Sequence, residues 1–289
     1  MTSKTPVGLV AGSGKIPYLA GERLKSTNCD VYVCALESEI DSRLKEISSS
    51  WMQFAPEALA DVPSFFHDHD VQYLYLLGNV DKTRLYDDGN YSSAGGIVRT
   101  ILDRVPNKGD RYLIKAAIRY LENQDLEVRG LDELFSDSLM PPGHQAGPPL
   151  DQSARQTIEY LLPLARKSAD DEIGQTILGK RQSVVAVEAV EGTEATIERA
   201  GRLAGEGCIM VKSARTNQNS RFDMPVIGPE TIKTLGEIGA RALVAESKNI
   251  IWVRQEESSE LAERADLSVI GESMPTPGIV RRILQWFNG

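Results

Sequence analysis

The sequence predicts an α/β protein with two domains, the first built on a parallel sheet covered by helices. Short apolar runs bounded by polar or Gly-containing segments recur along the chain, stretches of helical spacing stand between them, and one proline-rich segment divides the pattern in two. Alternation of strand and helix is the mark of a parallel, helix-covered sheet. The chain has 289 residues, enough for two domains of about 100–200 residues each.

The elements follow in order. Residues 7–11 read as a strand ending in Gly12-Ser13-Gly14, with a helical pattern over 17–25. Strands are expected at 31–36 and 71–77. Residues 112–123 place Leu113, Ala116, Ala117, Tyr120 and Leu121 on one helical side, and 127–130 resembles a short strand. These make a first domain over 1–135. Residues 136–152 hold four prolines and two glycines and read as an interdomain linker. The second α/β domain, 153–289, is expected to run as a helix at 154–167, a strand at 183–190, a helix at 193–204 and a strand at 208–212. A helix opening near Pro229, strands at 242–245 and 250–253 and a final helix at 277–287 complete it.

Composition narrows the function. The chain is 41% hydrophobic and 25% charged, as in a globular protein with a sizeable core. Its formal charge of −9, without a Lys/Arg cluster, argues against nucleic acid as a partner. Cys29, Cys34 and Cys208 form neither a disulfide framework nor a zinc pattern and read as reduced core thiols. No run approaches the ~20 apolar residues that span a bilayer, and the amino terminus lacks a signal-peptide layout. A cytoplasmic enzyme is the expectation.

Chemistry concentrates between Asp170 and Gly228. Acids able to hold a divalent cation or a water lie close in sequence to Lys, Arg and amide donors able to hold phosphate oxygens. That mixture suits phosphoryl chemistry, in which positioning and charge neutralisation supply most of the catalysis. Glu188 interrupts an apolar run, so it either belongs to a site or points outward, since a lone buried carboxylate is costly. Glu191 follows at the handover to a helix that Thr193 is placed to cap. Lys212 ends a strand, and ligands gather at the carboxyl ends of strands in open parallel sheets. Asp223, between Phe222 and Met224-Pro225, suits holding Mg²⁺ or a water, or else forms an Asx turn. Gly12-Ser13-Gly14 is either a phosphate contact or a tight turn. A dinucleotide fingerprint with Glu37 as its ribose acid is disfavoured by Pro17 at the third glycine position. His67-Asp68-His69-Asp70 reads as a solvated loop. The basic amphipathic end with Arg281 and Arg282 suits a membrane surface, a partner subunit or its own domain.

Taken together, these blocks resemble the LpxI-type UDP-2,3-diacylglucosamine pyrophosphatases of lipid A synthesis. The resemblance rests on residues 8–17, Lys108-Gly109-Asp110, 171–175, 186–194, and 211–212 through 221–229, in family order across nearly the whole chain. It implies a Rossmann-like amino-terminal domain, a distinct second domain, a substrate cleft between them and a homodimer. It also implies Mg²⁺-dependent hydrolysis of UDP-2,3-diacylglucosamine; the sequence is silent on whether Mn²⁺ can take the place of Mg²⁺. The products are UMP and 2,3-diacylglucosamine 1-phosphate (lipid X), with water attacking the α-phosphorus and Asp223 tied to catalysis. Lys212 and Gln218 are the further catalytic candidates. Gly12, Ser13, Gly14, Gln175, Thr193 and Arg221 are expected to bind substrate, and Asp223, Glu188 and Glu191 to bind metal. A protein acting on a diacylated substrate is expected to touch the inner membrane surface. The sequence departs from the family pattern Lys-x-Pro-Lys-Pro-x-Gln-Asp at Ala214, Arg215, Thr216 and Asn219, and has Asp110-Arg111 where the family has an acidic pair. Two other readings stand beside this one: a non-catalytic binder of nucleotide sugars or lipid, and an NAD-dependent oxidoreductase.

Overall fold

Val7, Leu9 and Ala11 lose all solvent contact, which puts β1 (Thr5–Ala11) at the centre of a parallel sheet rather than at its rim. The computed structural model describes residues 4–36, 40–78, 110–221 and 224–274, divided between two units, 1–134 and 135–289.

In the first unit β1 pairs in parallel with β2 (Cys29–Ala35) and β4 (Tyr73–Leu77). Outside them lie β3 (Ser50–Gln53) and β5 (Glu127–Val128), giving the order β3-β2-β1-β4-β5. All four pairings are parallel. This is a Rossmann-like doubly wound order, with its switch point between β1 and β4. The helices are α1 (Ile16–Ser26), α2 (Ser42–Ile47), α3 (Val62–His67), α4 (Asp110–Glu122) and α5 (Leu131–Leu134). Gly8 lies so close to α3 and β4 that a Cβ there would meet Phe66 and Leu74 at 2.8 Å. His67 and His69 bond to the main-chain oxygens of Gln124 and Phe65, so the His-Asp-His-Asp run closes a helix end.

The second unit is a mixed sheet in the order β6-β13-β11-β9-β7-β8. Its strands are β6 (Gly143–Ala146), β7 (Thr176–Lys180), β8 (Ser183–Val187), β9 (Ile209–Lys212), β11 (Ala242–Glu246) and β13 (Ser268–Glu272). A separate parallel pair joins β10 (Val226–Ile227) to β12 (Ile251–Trp252). Its helices among the described residues are, in chain order, α6 (Gln152–Asp170), α7 (Thr193–Ala204), α8 (Pro229–Glu237) and α9 (Gln255–Arg264). Alternate residues face opposite layers. Met210 and Leu243 pack with Ile197 and Ile232, whereas Ile209, Val211 and Val244 pack with Leu161 and Ala165 of α6.

Several expectations need correcting. Segment 136–152 is not a free linker: Gly143–Ala146 pairs antiparallel with β13 as an edge strand, where prolines flanking the strand cost no ladder bond. The strand read as 183–190 stops at Val187, so Glu188 lies just beyond it. The strand at 250–253 belongs to the small separate pair rather than the main sheet. The three cysteines are free and buried, as the sequence predicts. Glu37, Lys108, Gly109 and the helix read at 277–287, with Arg281 and Arg282, lie outside the described residues.

Asp151 caps α6 by accepting the Ala154 N–H at 2.8 Å and pairs with Arg241 at 2.8 Å. The Ala154 N–H and then the arginine hold its carboxyl below the usual aspartate range. A lowered folded value stabilises above the unfolded pKa of about 3.9 and fades as pH falls through the folded value. Asp151→Asn, which can still cap, is therefore expected to melt below wild type at pH 7. The two melting curves should converge below about pH 4.

Candidate active site

Parallel β9 and β11 bring their carboxyl ends to one edge, and antiparallel β7 starts there. Register places Thr176 opposite Lys212 and Ala245 on its other side. Lys212 is only 4% exposed. Its Nζ donates to Thr176 Oγ1 at 3.1 Å and to Thr193 Oγ1 at 2.9 Å. Thr193 in turn donates to Glu188 Oε1 at 2.7 Å. Glu188 Oε2 lies 3.9 Å from the ammonium and is buried without a hydrogen-bond partner among the described residues. A buried carboxylate oxygen without a hydrogen-bond partner is an exception in a folded protein and calls for an explanation.

Thr193 does not cap α7. Gly192 holds the cap position at φ +83° without a side-chain bond, and the threonine hydroxyl is committed to Lys212 and Glu188. Glu191 spends both oxygens locally. Oε1 accepts from Arg199 at 2.5 Å and from Thr196 at 3.3 Å, and Oε2 accepts from the Ala189 N–H at 3.1 Å. Its own N–H and the Arg199 guanidinium keep its carboxyl below the usual range.

These contacts test the metal assignment. Among the described residues no group of three or more His, Cys, Asp or Glu converges on one point. Glu191, tied to Arg199, does not fit. Glu188 does, because Mg²⁺ keeps most of its waters and needs only one or two carboxylates plus substrate phosphates. Asp223 lies outside the described residues.

The loop after Lys212 is bonded at several points. The Ser213 N–H donates to the Gln175 carbonyl at 2.9 Å, so Gln175 serves through its main chain. Arg166 donates Nη2 to Glu246 Oε1 at 2.5 Å and Nη1 to the Ala214 carbonyl at 2.9 Å. Thr216 is held to Asp170 through N–H and hydroxyl, at 2.6 and 2.8 Å. Gln218 accepts the Arg215 N–H at 3.0 Å through Oε1, while its Nε2 is buried without a partner among the described residues. The N–H and Nε of Arg221 both donate to Asn219 Oδ1, at 3.1 and 3.4 Å. The second unit therefore brings Lys212, Thr193 and Glu188 together and leaves Glu191, in the turn before α7, bonded to Arg199 and Thr196 of that helix. Gln218 and Arg221 remain on the following loop.

Sequence reasoning missed Thr176, Arg166 and Glu246. The one available signal was Arg166 on the apolar side of α6, four residues after Leu162 and three before Ala169.

In the first unit the Gly12–Gly14 turn follows β1 at the switch point. The Gly12 N–H donates to Leu77 O at 2.7 Å. Gly14 has φ +102°, and a Cβ at Gly78 would meet the Ser13 carbonyl oxygen at 2.6 Å. Helix α1 opens without a side-chain cap and with Pro17 in its first turn.

Residues 6–138 match the family model described as the LpxI N-terminal domain, and residues 141–270 match the LpxI C-terminal domain. A UDP-2,3-diacylglucosamine pyrophosphatase LpxI from Caulobacter vibrioides is 25% identical over 281 residues, covering 92% of this chain and 96% of that one. Solved structures align more loosely. An N5-carboxyaminoimidazole ribonucleotide synthetase in complex with ADP is 11% identical, with a TM-score of 0.27, over 71% of this chain and 46% of that chain, so less than half of the synthetase is spanned. A nucleoside-diphosphate-sugar epimerase from Pseudomonas aeruginosa is 10% identical, with a TM-score of 0.26, over 98% and 97%.

Proposed function

The chain belongs to the LpxI family, and on that premise we propose that it hydrolyses the pyrophosphate of UDP-2,3-diacylglucosamine in lipid A synthesis. The products are UMP and 2,3-diacylglucosamine 1-phosphate. The observation that carries this reading is the shielded Lys212 ammonium at a strand-end edge, 3.9 Å from a buried Glu188 oxygen that has no hydrogen-bond partner among the described residues. A fixed cation and preplaced donors at such an edge stabilise charge that grows on phosphoryl oxygens.

Water attacks the α-phosphorus in this proposal. Lys212 bears on the developing negative charge, and Gln218 Nε2, without a partner among the described residues, donates to a phosphoryl oxygen. Thr193 holds Glu188 and Lys212 in fixed relation through its hydroxyl. Asp223 and Glu188 are the residues to hold Mg²⁺, or Mn²⁺ in its place. When bound, the ion neutralises pyrophosphate charge and orients the phosphoryl group. Asp223 orients the attacking water. Arg221 and the Gly12–Gly14 turn contribute substrate contacts, the turn through backbone N–H groups at a helix start other than that of Gly12, which donates to Leu77 O. No described helix is long and apolar enough to cross a membrane. The proposal includes a homodimer that works in the cytoplasm and meets its diacylated substrate at the inner membrane surface.

The test is UMP release from UDP-2,3-diacylglucosamine in ¹⁸O-labelled water, with Mg²⁺ or EDTA. Turnover should require the cation, and the label should appear in UMP. Asp223→Ala should lower the rate roughly 100-fold or more. Label in the lipid phosphate would overturn the attack site. A folded protein that binds the substrate without turnover would replace the enzyme by a binding regulator.

A further inference from the structure

Ala214, two residues after Lys212, is gripped at both its N–H and its carbonyl by a buried ion pair that the reaction as proposed does not use. Glu246 ends β11 with 4% of its surface exposed, and Arg166 on α6 has 8%. Glu246 accepts four bonds. Oε1 takes Arg166 Nη2 at 2.5 Å and Asn249 Nδ2 at 2.8 Å. Oε2 takes the Ala214 N–H at 2.9 Å and Ser213 Oγ at 3.1 Å. The other arm of Arg166 reaches the Ala214 carbonyl at 2.9 Å. One ion pair thus holds both polar groups of a single residue, two positions after Lys212.

Stability alone is a poor reason for such an arrangement. Replacing a buried ion pair by apolar side chains of similar volume is often neutral or stabilising, because desolvation offsets much of the attraction. A fork-shaped guanidinium and a two-oxygen carboxylate excel at fixing geometry in several directions at once. Here the fixed object is the backbone that leaves Lys212 and enters the loop bearing Gln218. Small displacements of a catalytic group cost rate steeply, about 100-fold for 1 Å.

Resting on the pyrophosphatase reading above, we infer that Arg166 and Glu246 are positioning residues that clamp Ala214 and so hold Lys212 and its loop in register for the phosphoryl group. Neither touches substrate. The pair sets the turnover rate and leaves substrate affinity nearly unchanged.

The decisive variant is the double replacement Arg166→Met with Glu246→Leu, which removes both charges together. It is compared with wild type by melting, by kcat and KM for UMP release, and by hydrogen exchange of the Ala214 amide. A lowered melting temperature is expected, because the Ala214 N–H and carbonyl, Ser213 Oγ and Asn249 Nδ2 lose their partners. KM within about threefold, kcat lowered about tenfold or more and faster Ala214 exchange are expected with it. A double variant with wild-type kcat overturns the inference, as does an Ala214 amide still protected. Arg166→Lys serves if the double variant fails to fold. One ammonium can keep the charge of the pair but cannot span both Glu246 and the Ala214 carbonyl. The same loss of kcat at constant KM is expected of it, and wild-type kcat there overturns the clamp. Should wild type itself release no UMP, the pyrophosphatase reading fails, while amide exchange still decides whether the clamp exists.

Discussion

Lys212→Met is expected to lower kcat for UMP release by about 100- to 1,000-fold, the range seen when one preorganised donor to a developing oxyanion is removed. Methionine fills much the same volume and keeps an unbranched stem, so packing around β9 should survive. The ammonium is what goes. Thr176 and Thr193 lose the donor that joins them, and Glu188 loses the cation 3.9 Å from its bare oxygen. Arginine should not restore the rate, because a planar guanidinium cannot occupy the place of a compact ammonium that is 4% exposed. Removing one partner of a buried pair leaves the other uncompensated, so the variant is expected to melt below wild type. A Lys212→Met protein that is still folded at the assay temperature and still binds the substrate, yet turns over slowly, assigns the loss to the chemistry. A Lys212→Met protein within about threefold of wild type would remove Lys212 from the mechanism.

How far the sequence reveals this site depends on the distance over which each contact is made. The β–α alternation of the first unit was legible because each of its central strands is an apolar run bounded by a turn, at β1, β2 and β4. Lys212 was legible because it closes such a run. Glu188 stood out as an acid after Val184-Val185-Ala186-Val187. The β7–β8 hairpin was not legible. Its two-residue turn, Arg181-Gln182, takes positive φ at both positions, 50° and 57°. Such turns are usually announced by Asn-Gly or Asp-Gly, and here nothing announces it. That omission hid Thr176, which reaches Lys212 only through antiparallel register with β9. Arg166 and Glu246 are 80 residues apart, and neither belongs to a local motif. A hydroxyl at a helix start ordinarily caps it, so sequence alone makes Thr193 a cap. The glycine before it took that position and left the hydroxyl to the charged pair.

Gly174→Ala is expected to cost about 1–3 kcal/mol of stability and roughly 100-fold in turnover, although Gly174 has no catalytic atom. A Cβ at this position would stand 2.0 Å from the Glu188 carbonyl oxygen and 2.6 Å from its carbonyl carbon. The obstacle is main chain, so no side-chain rotation relieves it. One backbone segment must move by an ångström or more. Each is tied down. Ser168 Oγ donates to the Gly174 carbonyl at 2.9 Å, and the Glu188 N–H donates to the Thr176 carbonyl at 2.9 Å. Displacement of Glu188 carries its carboxylate away from Thr193 and Lys212, whereas displacement of Gly174 pulls on the start of β7 and on Thr176. Either way the contacts around the ammonium loosen together. Chemical denaturation reads the stability cost, and kcat for UMP release reads the displacement. A destabilised Gly174→Ala protein that keeps wild-type turnover would mean that the placement of Glu188 and Thr176 does not matter to the reaction. The site would then have to be rebuilt around Asp223 and the loop alone.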